Sequence, residues 1–309
     1  MIDRNRKITS GCATFANLNC LVRLSKQDLI FPFYHTVAKQ PLPHVSHLYT
    51  VRNEAEFEQD LDYMLKSFKP QSLEEYQGGK KRSGDKPSMV LTFDDGLAEC
   101  HDFVAPLLKK KGVPAAFFLN NHFIDNRGLF YRYKASLLIE QVKTDSLVLE
   151  QVASYLDIPE KRVVESILLI DQDQVSLLDA LLKEINFDVA GYLKKSPVYL
   201  STKQVMDLLS WGFEIGGHSP AHTDFSRLVP KEILNQVRSS VEDLQARFQI
   251  STRYFSFPFT SAGISSEVIH SLLNEGVASV LMGTAGLKKT DKKDLSREFP
   301  WKSLMALPG

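Results

Sequence analysis

The sequence predicts an α/β fold: a distorted or incomplete TIM-like (β/α) barrel of about seven parallel strands, carrying a helical insertion. Three observations predict it. Short apolar runs of strand length alternate with longer runs whose apolar residues recur at helical spacing, the rhythm of a parallel sheet wrapped by helices. Glycines stand where those helices stop, at Gly112, Gly212 and Gly276. The clearest strand, Met89-Val90-Leu91, runs into Thr92-Phe93-Asp94-Asp95-Gly96, two adjacent carboxylates at a strand terminus. Like charges this close raise one another's pKa. Such a pair is kept where a cation neutralises it or where one carboxylate takes up a proton. The alternative is a turn whose aspartates cap the next helix.

The elements follow in order. Leu29 to Tyr34 reads as the first strand, ending at His35, with Pro32 marking an edge or irregular position. Asn53 is an N-cap with Glu56 three residues on, and Phe57, Leu61, Met64, Leu65 and Phe68 form one apolar stripe closed before Pro70. Gln77 to Pro87, including Lys80-Lys81-Arg82, is surface loop. A helix is expected from about Glu99 to Lys111, then a strand over Pro114–Leu119. From about 128 to 197 the alternation stops, and the apolar periodicity is helical throughout. The whole chain, 1–309, is therefore expected to be a single barrel domain with one helical insertion. The rhythm resumes with a helix capped by Ser201 and a strand Phe213–Gly217 running into His218. A long helix near Lys231–Phe248 and a strand Tyr254–Phe257 running into Pro258-Phe259 follow. A helix capped at Ser265 or Ser266, a strand Val277–Met282 and a last strand within Leu295–Trp301 complete the set.

Composition excludes several function classes. With 37 basic and 37 acidic side chains there is no global field to attract nucleic acid or an anionic membrane. No run approaches the roughly 20 apolar residues of a membrane span. Ile8 to Val22 is broken by Thr, Ser, Gly and two Asn, unlike a signal peptide. A soluble, cytoplasmic protein is expected, with the cell envelope as the alternative. Three cysteines, Cys12, Cys20 and Cys100, do not make a disulfide framework.

In parallel barrels chemistry sits at the C-terminal ends of strands. Asp94-Asp95, His218-Ser219-Pro220-Ala221-His222 and Pro258-Phe259 all fall there. Pro220 suits the first residue of a helical turn that would put both imidazoles on one face. One Asp oxygen with two imidazole nitrogens suits Zn²⁺ or a similar divalent ion and leaves positions for water and substrate. A lone His-x-x-x-His is weak evidence for a metal; the shared strand-end placement strengthens it.

Together, TFDDG, Gly-Gly-His-Ser-x-x-His and an apolar strand ending Pro-Phe resemble carbohydrate esterase family 4, the polysaccharide deacetylases. The likeness runs from Phe33-Tyr34-His35 to about Arg297, outside the helical stretch. It implies metal-assisted hydrolysis of an N-acetyl group on a sugar or glycan. Asp95, His218 and His222 would hold a divalent ion, Zn²⁺ first among the choices. Asp94 would be the general base, and the Phe259 N–H, after Pro258, would face the oxyanion and substrate. Three departures stand out. Ser256 occupies the place of an arginine that orients the base, Thr260 replaces a glycine, and the late Leu-x-His that supplies a general acid is not visible. His35, on the same rim, is the replacement candidate for the acid, and Arg297 for the missing cation. His270 falls within a helix, away from the strand ends. His44, His47, His101 and His122 read as loop or surface residues, and Cys100 has no base around it. Two other readings remain: an amidohydrolase on a small non-sugar amide, and a catalytically weak carbohydrate- or metal-binding homologue.

Overall fold

The computed structural model describes residues 29–79, 86–284 and 301–302. Arg297, Lys80-Lys81-Arg82, Cys12, Cys20 and the first residues of the last expected strand lie outside them. Seven parallel strands make one curled sheet in the order β10-β9-β8-β7-β6-β5-β2: β2 (Phe33–Tyr34), β5 (Leu91–Phe93), β6 (Ala115–Leu119), β7 (Glu214–Gly217), β8 (Tyr254–Ser256), β9 (Val280–Thr284) and β10 (Trp301–Lys302). Among the described residues nothing pairs β2 with β10, so the sheet is a barrel left open. The expected irregularity at Pro32 is present: the first strand is split into β1 (Leu29–Ile30) and β2, and β2 is an edge. β1 joins β4 (Ser88–Met89) and β3 (Lys69–Pro70) in a small parallel sheet at the base of β2 and β5.

The central strands β5 and β6 are buried at every position, and β6 reads as an unbroken apolar run because both its faces are covered. In β6, Phe117 stacks on Phe93 at 5.1 Å and meets Phe213 edge-on, beneath the surrounding helices. Its neighbour Phe118 points the other way, into an interior layer with Phe31, Val90, Tyr254 and Met282. Glycine is required in β7. A Cβ on Gly216 would lie 2.7 Å from the Phe118 ring and 2.8 Å from the Tyr254 carbonyl oxygen, and one on Gly217 would lie 2.4 Å from Ser240 Oγ. The Tyr254 carbonyl is backbone and cannot turn aside. Gly216→Ala is therefore expected to lower stability by about 2 kcal/mol, read as a lower denaturant midpoint at unchanged slope.

Helix α1 (Glu54–Ser67) begins at the expected capping box: Asn53 Oδ1 accepts from Glu56 N–H at 3.0 Å, and Glu56 Oε2 accepts from Asn53 N–H at 2.8 Å. A short helix α2 (Leu73–Gln77) follows, its first N–H groups donating to the Glu214 carboxylate. The helix expected after the aspartates opens with a π-turn, Cys100–Val104, before α3 (Ala105–Lys111). Pro106 lacks the N–H an ordinary helical ladder would need there.

After β6, and ahead of the outer-layer helix that precedes β7, the chain makes an excursion of five helices: α4 (Tyr131–Thr144), α5 (Ser146–Leu156), α6 (Val163–Leu169), α7 (Val175–Glu184) and α8 (Val189–Lys195). They bury their own core, including Leu138, Val152, Ile167, Leu178 and Leu181. Both ends of this excursion are fastened beside the strand ends. Asn126 Oδ1 accepts from Val198 and Tyr199 N–H, while Ala98 N–H donates to Val198 O and Leu200 N–H to Gly96 O. Arg227 ties its far side down through Asp171, at 2.6 Å, and Asp173. Helices α9 (Thr202–Ser210), α10 (Pro230–Phe248) and α11 (Ser266–Asn274) complete the outer layer. No helix among the described residues is long and apolar enough to cross a membrane.

Candidate active site

Three strand ends meet at one place. Asp94 N–H still donates to Tyr34 O at 2.9 Å, so Asp94 is the last residue on the β5 ladder; Asp95 turns away with φ +71°. His218 N–H likewise donates to Leu119 O at 2.8 Å, one residue beyond β7, and Phe257 N–H to Met282 O at 2.8 Å, one beyond β8. The Asn120 amide, just past β6, donates to His218 O at 2.5 Å and Ser219 O at 3.2 Å, fixing the histidine loop. His122 N–H reaches back to Pro220 O.

The helical turn expected at Pro220 is not formed. Ser219 and His222 both take left-handed backbone, φ +63° and +56°, and Ser219 Oγ accepts from Thr223 N–H at 3.0 Å. That bend, rather than a helix face, brings the two imidazoles together, with ring centres 4.9 Å apart. Phe259 is left-handed too, at φ +55°, and Thr260 N–H donates across it to Pro258 O at 2.6 Å, a tight γ-turn. Residues other than glycine rarely adopt this backbone conformation, which costs about 1–2 kcal/mol each, and it gathers where geometry serves function. Asp95, Ser219, His222 and Phe259 all carry it.

Asp95, His218 and His222 are buried, and one ligand atom from each lies within 4.8 Å of the others. Asp95 Oδ1 stands 3.4 Å from His218 Nε2 and 3.2 Å from His222 Nε2, close enough to pair charge but without a hydrogen-bond partner. A buried, unbonded carboxylate oxygen facing two imidazole nitrogens is the donor set a divalent ion fits. Burial alone would raise the Asp95 carboxyl. The charge of His222 foremost, then the nearness of both imidazoles and the charge of His35, hold it well below the usual range. His218 Nδ1 donates to Ser256 O at 2.7 Å, which sets the tautomer and presents Nε2 to Asp95. Ser256 therefore serves the site through its carbonyl.

Asp94 is 3% exposed beside this cluster. His35, half-buried, stacks on Tyr49 with ring centres 4.8 Å apart. Its carbonyl accepts from Cys100 Sγ at 3.3 Å. The Cys100 thiol is pushed well up by burial first and then by Glu99, Asp95 and Asp94, so it stays neutral. Pro258 is buried behind Phe259, whose ring meets His222 at 4.6 Å. His270 lies on α11, away from the strand ends.

Several neighbours carry no signal in the linear sequence. Tyr133, on α4, donates its hydroxyl to Asp95 Oδ2 at 2.6 Å; burial and then the Asp95 charge push that hydroxyl well above its usual range, so it remains a donor. Phe130 packs on His222 at 4.2 Å, and Arg132 lies over Phe259 at 5.1 Å. Glu99 is buried enough for its carboxyl to rise to about 7.

His44 is not the surface residue expected. It is 2% exposed, its Nδ1 bonded to the Tyr192 hydroxyl at 3.0 Å and its ring against Tyr133. Burial lowers its pKa from 6.5 to about 4. The neutral form is the one the fold accommodates, so the stability it allows is complete above pH 6.5 and lost as pH falls from 6.5 toward 4, by about 3 kcal/mol. His44→Gln is expected to flatten the urea midpoint across that window. An unchanged slope would remove His44 from the acid response.

The sequence model of the polysaccharide deacetylase family matches residues 81–278, which hold both aspartates, both histidines and Pro258-Phe259. No curated protein matches the chain by sequence. Solved structures share its fold. A deacetylase of Streptococcus pyogenes, PplD in complex with acetate, is 14% identical over 84% of each chain, with a TM-score of 0.53. IcaB from Ammonifex degensii is 15% identical over 89% of each, at 0.54. A de-N-acetylase from Aggregatibacter actinomycetemcomitans is 13% identical over 90% of this chain and 94% of its own, at 0.53. The open parallel barrel with its strand-end aspartates and histidines thus belongs to a chain of the polysaccharide deacetylase family.

Proposed function

We propose that the chain is a metal-dependent deacetylase that hydrolyses N-acetyl groups on a sugar or glycan. The observation that carries this reading is the buried Asp95 Oδ1, without a hydrogen bond and facing Nε2 of His218 and His222. Asp95, His218 and His222 would hold a divalent ion, with Zn²⁺ favoured by two imidazoles and one carboxylate. That ion would supply Lewis-acid polarisation of the amide and acidify the attacking water.

The remaining roles fall to the chain's own residues. Asp94, at the rim beside Asp95, takes the proton of the attacking water. The Phe259 N–H, held by the γ-turn after Pro258, donates to the oxygen on which negative charge develops. His35, whose charge is felt at Asp95, gives a proton to the departing amine. Arg297 is the remaining candidate for a substrate-facing cation. N-acetylated glycan is favoured as substrate by the family and by the relatives, one of them described as a de-N-acetylase.

The experiment is metal analysis joined to an acetate-release assay on N-acetylated chito-oligosaccharides. Expected are one divalent ion per chain, release of acetate, loss of release after chelation, and recovery on adding Zn²⁺ back. Bound metal with acetate released only from small non-sugar amides would shift the reading to an amidohydrolase. Bound metal with no release from any amide would leave a binding protein.

A further inference from the structure

The five inserted helices, α4 to α8, lend one side chain to the centre of the site. Tyr133 sits in the first turn of α4, is 1% exposed, and donates a hydrogen bond from its hydroxyl to Asp95 Oδ2 at 2.6 Å. Asp95 is thereby divided: Oδ2 is taken up by the phenol, while Oδ1 is left facing the two imidazoles. A carboxylate with one oxygen in a short charge-assisted hydrogen bond cannot rotate freely or offer both oxygens to one ion.

The ring is locked as tightly as its hydroxyl. Phe130 packs edge-on to it at 5.3 Å, His44 at 5.4 Å, and Tyr199 stacks at 6.2 Å. The Tyr49 hydroxyl lies 3.3 Å from the Tyr133 hydroxyl, and since that proton is committed to Asp95, Tyr49 is the donor in this pair. The same turn also reaches the second histidine: Phe130 packs on His222 at 4.2 Å, and its N–H donates to the Tyr199 hydroxyl at 3.1 Å. Tyr199 in turn belongs to the segment that closes the excursion against Gly96–Ala98. One turn of an inserted helix therefore touches two of the three groups that would hold the ion.

We propose that Tyr133 is a positioning residue for Asp95, and that the inserted helices are part of the framework holding the ion rather than a cover laid over it. This rests on the metal-dependent reading above. The physical expectation is that a side chain fixing the far oxygen of a ligating carboxylate sets the affinity of the site, and its loss weakens binding by about tenfold to a hundredfold.

The test is Zn²⁺ affinity of the full chain, measured against a competing chromophoric chelator, for wild type, Tyr133→Phe and Tyr49→Phe. Tyr133→Phe removes one oxygen and keeps the ring in its packing. It should bind Zn²⁺ about tenfold to a hundredfold more weakly, with the metal-free melting temperature still well above the assay temperature. Tyr49→Phe removes the neighbouring hydroxyl but leaves Tyr133 on Asp95, and should change affinity by less than about threefold. Equal affinity in wild type and Tyr133→Phe, or equal losses in both variants, would overturn the role of Tyr133 while leaving the metal reading intact. A wild type that takes up no divalent ion would overturn the metal reading and this role with it. A crystal structure of the zinc-loaded wild type gives an independent check that needs no variant to fold: Tyr133 Oη beyond hydrogen-bond reach of Asp95 would also overturn the proposal.

Discussion

Asp94→Asn is expected to keep the fold and the bound ion while lowering acetate release by about two to four orders of magnitude, the usual contribution of a general base. Asparagine matches aspartate in shape, and the backbone there is fixed independently of the side chain, since Asp94 N–H donates to Tyr34 O. What disappears is the only property the proposed role needs, a carboxylate able to accept a proton. Asp94 is 3% exposed, so bulk water offers little substitute. Metal content and melting temperature should stay near wild type. Full turnover in a variant that retains its metal would remove Asp94 from the mechanism and make another carboxylate the base.

His222→Ala carries the second large effect, on binding rather than proton transfer. Zinc sites supply about 10–16 kcal/mol over four ligands, so one lost imidazole should cost about 3 kcal/mol, roughly a hundredfold in affinity. A separate consequence falls on the metal-free protein. Among the influences that oppose burial at Asp95, His222 is the largest. Removing it leaves a fully buried carboxylate with less to offset its charge, and the apo protein should lose about 3 kcal/mol near neutral pH. Both outcomes are measurable in one titration series: chelator competition for the ion, and urea unfolding with chelator in excess. A variant that binds Zn²⁺ as wild type does would take His222 out of the ligand set.

Much of the fold could be read because its signals are local. The capping box at Asn53 and Glu56 works through contacts three residues apart, so its parts are adjacent in the chain. β6 was legible because a strand buried on both faces must be apolar at every position, as Ala115–Leu119 is. Small deviations also had local causes, such as Pro106 admitting a π-turn where a plain helix was expected. The convergence of His218 with His222 was anticipated, but by the wrong device. The i, i+4 spacing predicts a helical turn, whereas left-handed backbone at Ser219 and His222 brings the rings together.

The site's supporting cast could not be read in the same way. Tyr133 looks like any aromatic on a buried helix face, and His44 like any loop histidine that follows a proline. Each owes its character to residues far along the chain: Tyr133 to Asp95, 38 positions away, and His44 to Tyr192, 148 positions away. Periodicity reports which face of an element is buried, but it is silent about what that face meets.

The class of fold, the strand ends that carry the carboxylates and imidazoles, and the family are legible in the order of residues alone, because strand and helix periods, caps and short motifs are properties of neighbouring residues. That Asp95 Oδ1 is left bare before two imidazoles, that Ser256 acts through its carbonyl, and that the inserted helices reach into the site through Tyr133 emerge only in the folded chain. Those are long-range hydrogen bonds and charge contacts, whose partners are chosen by packing after the chain has folded.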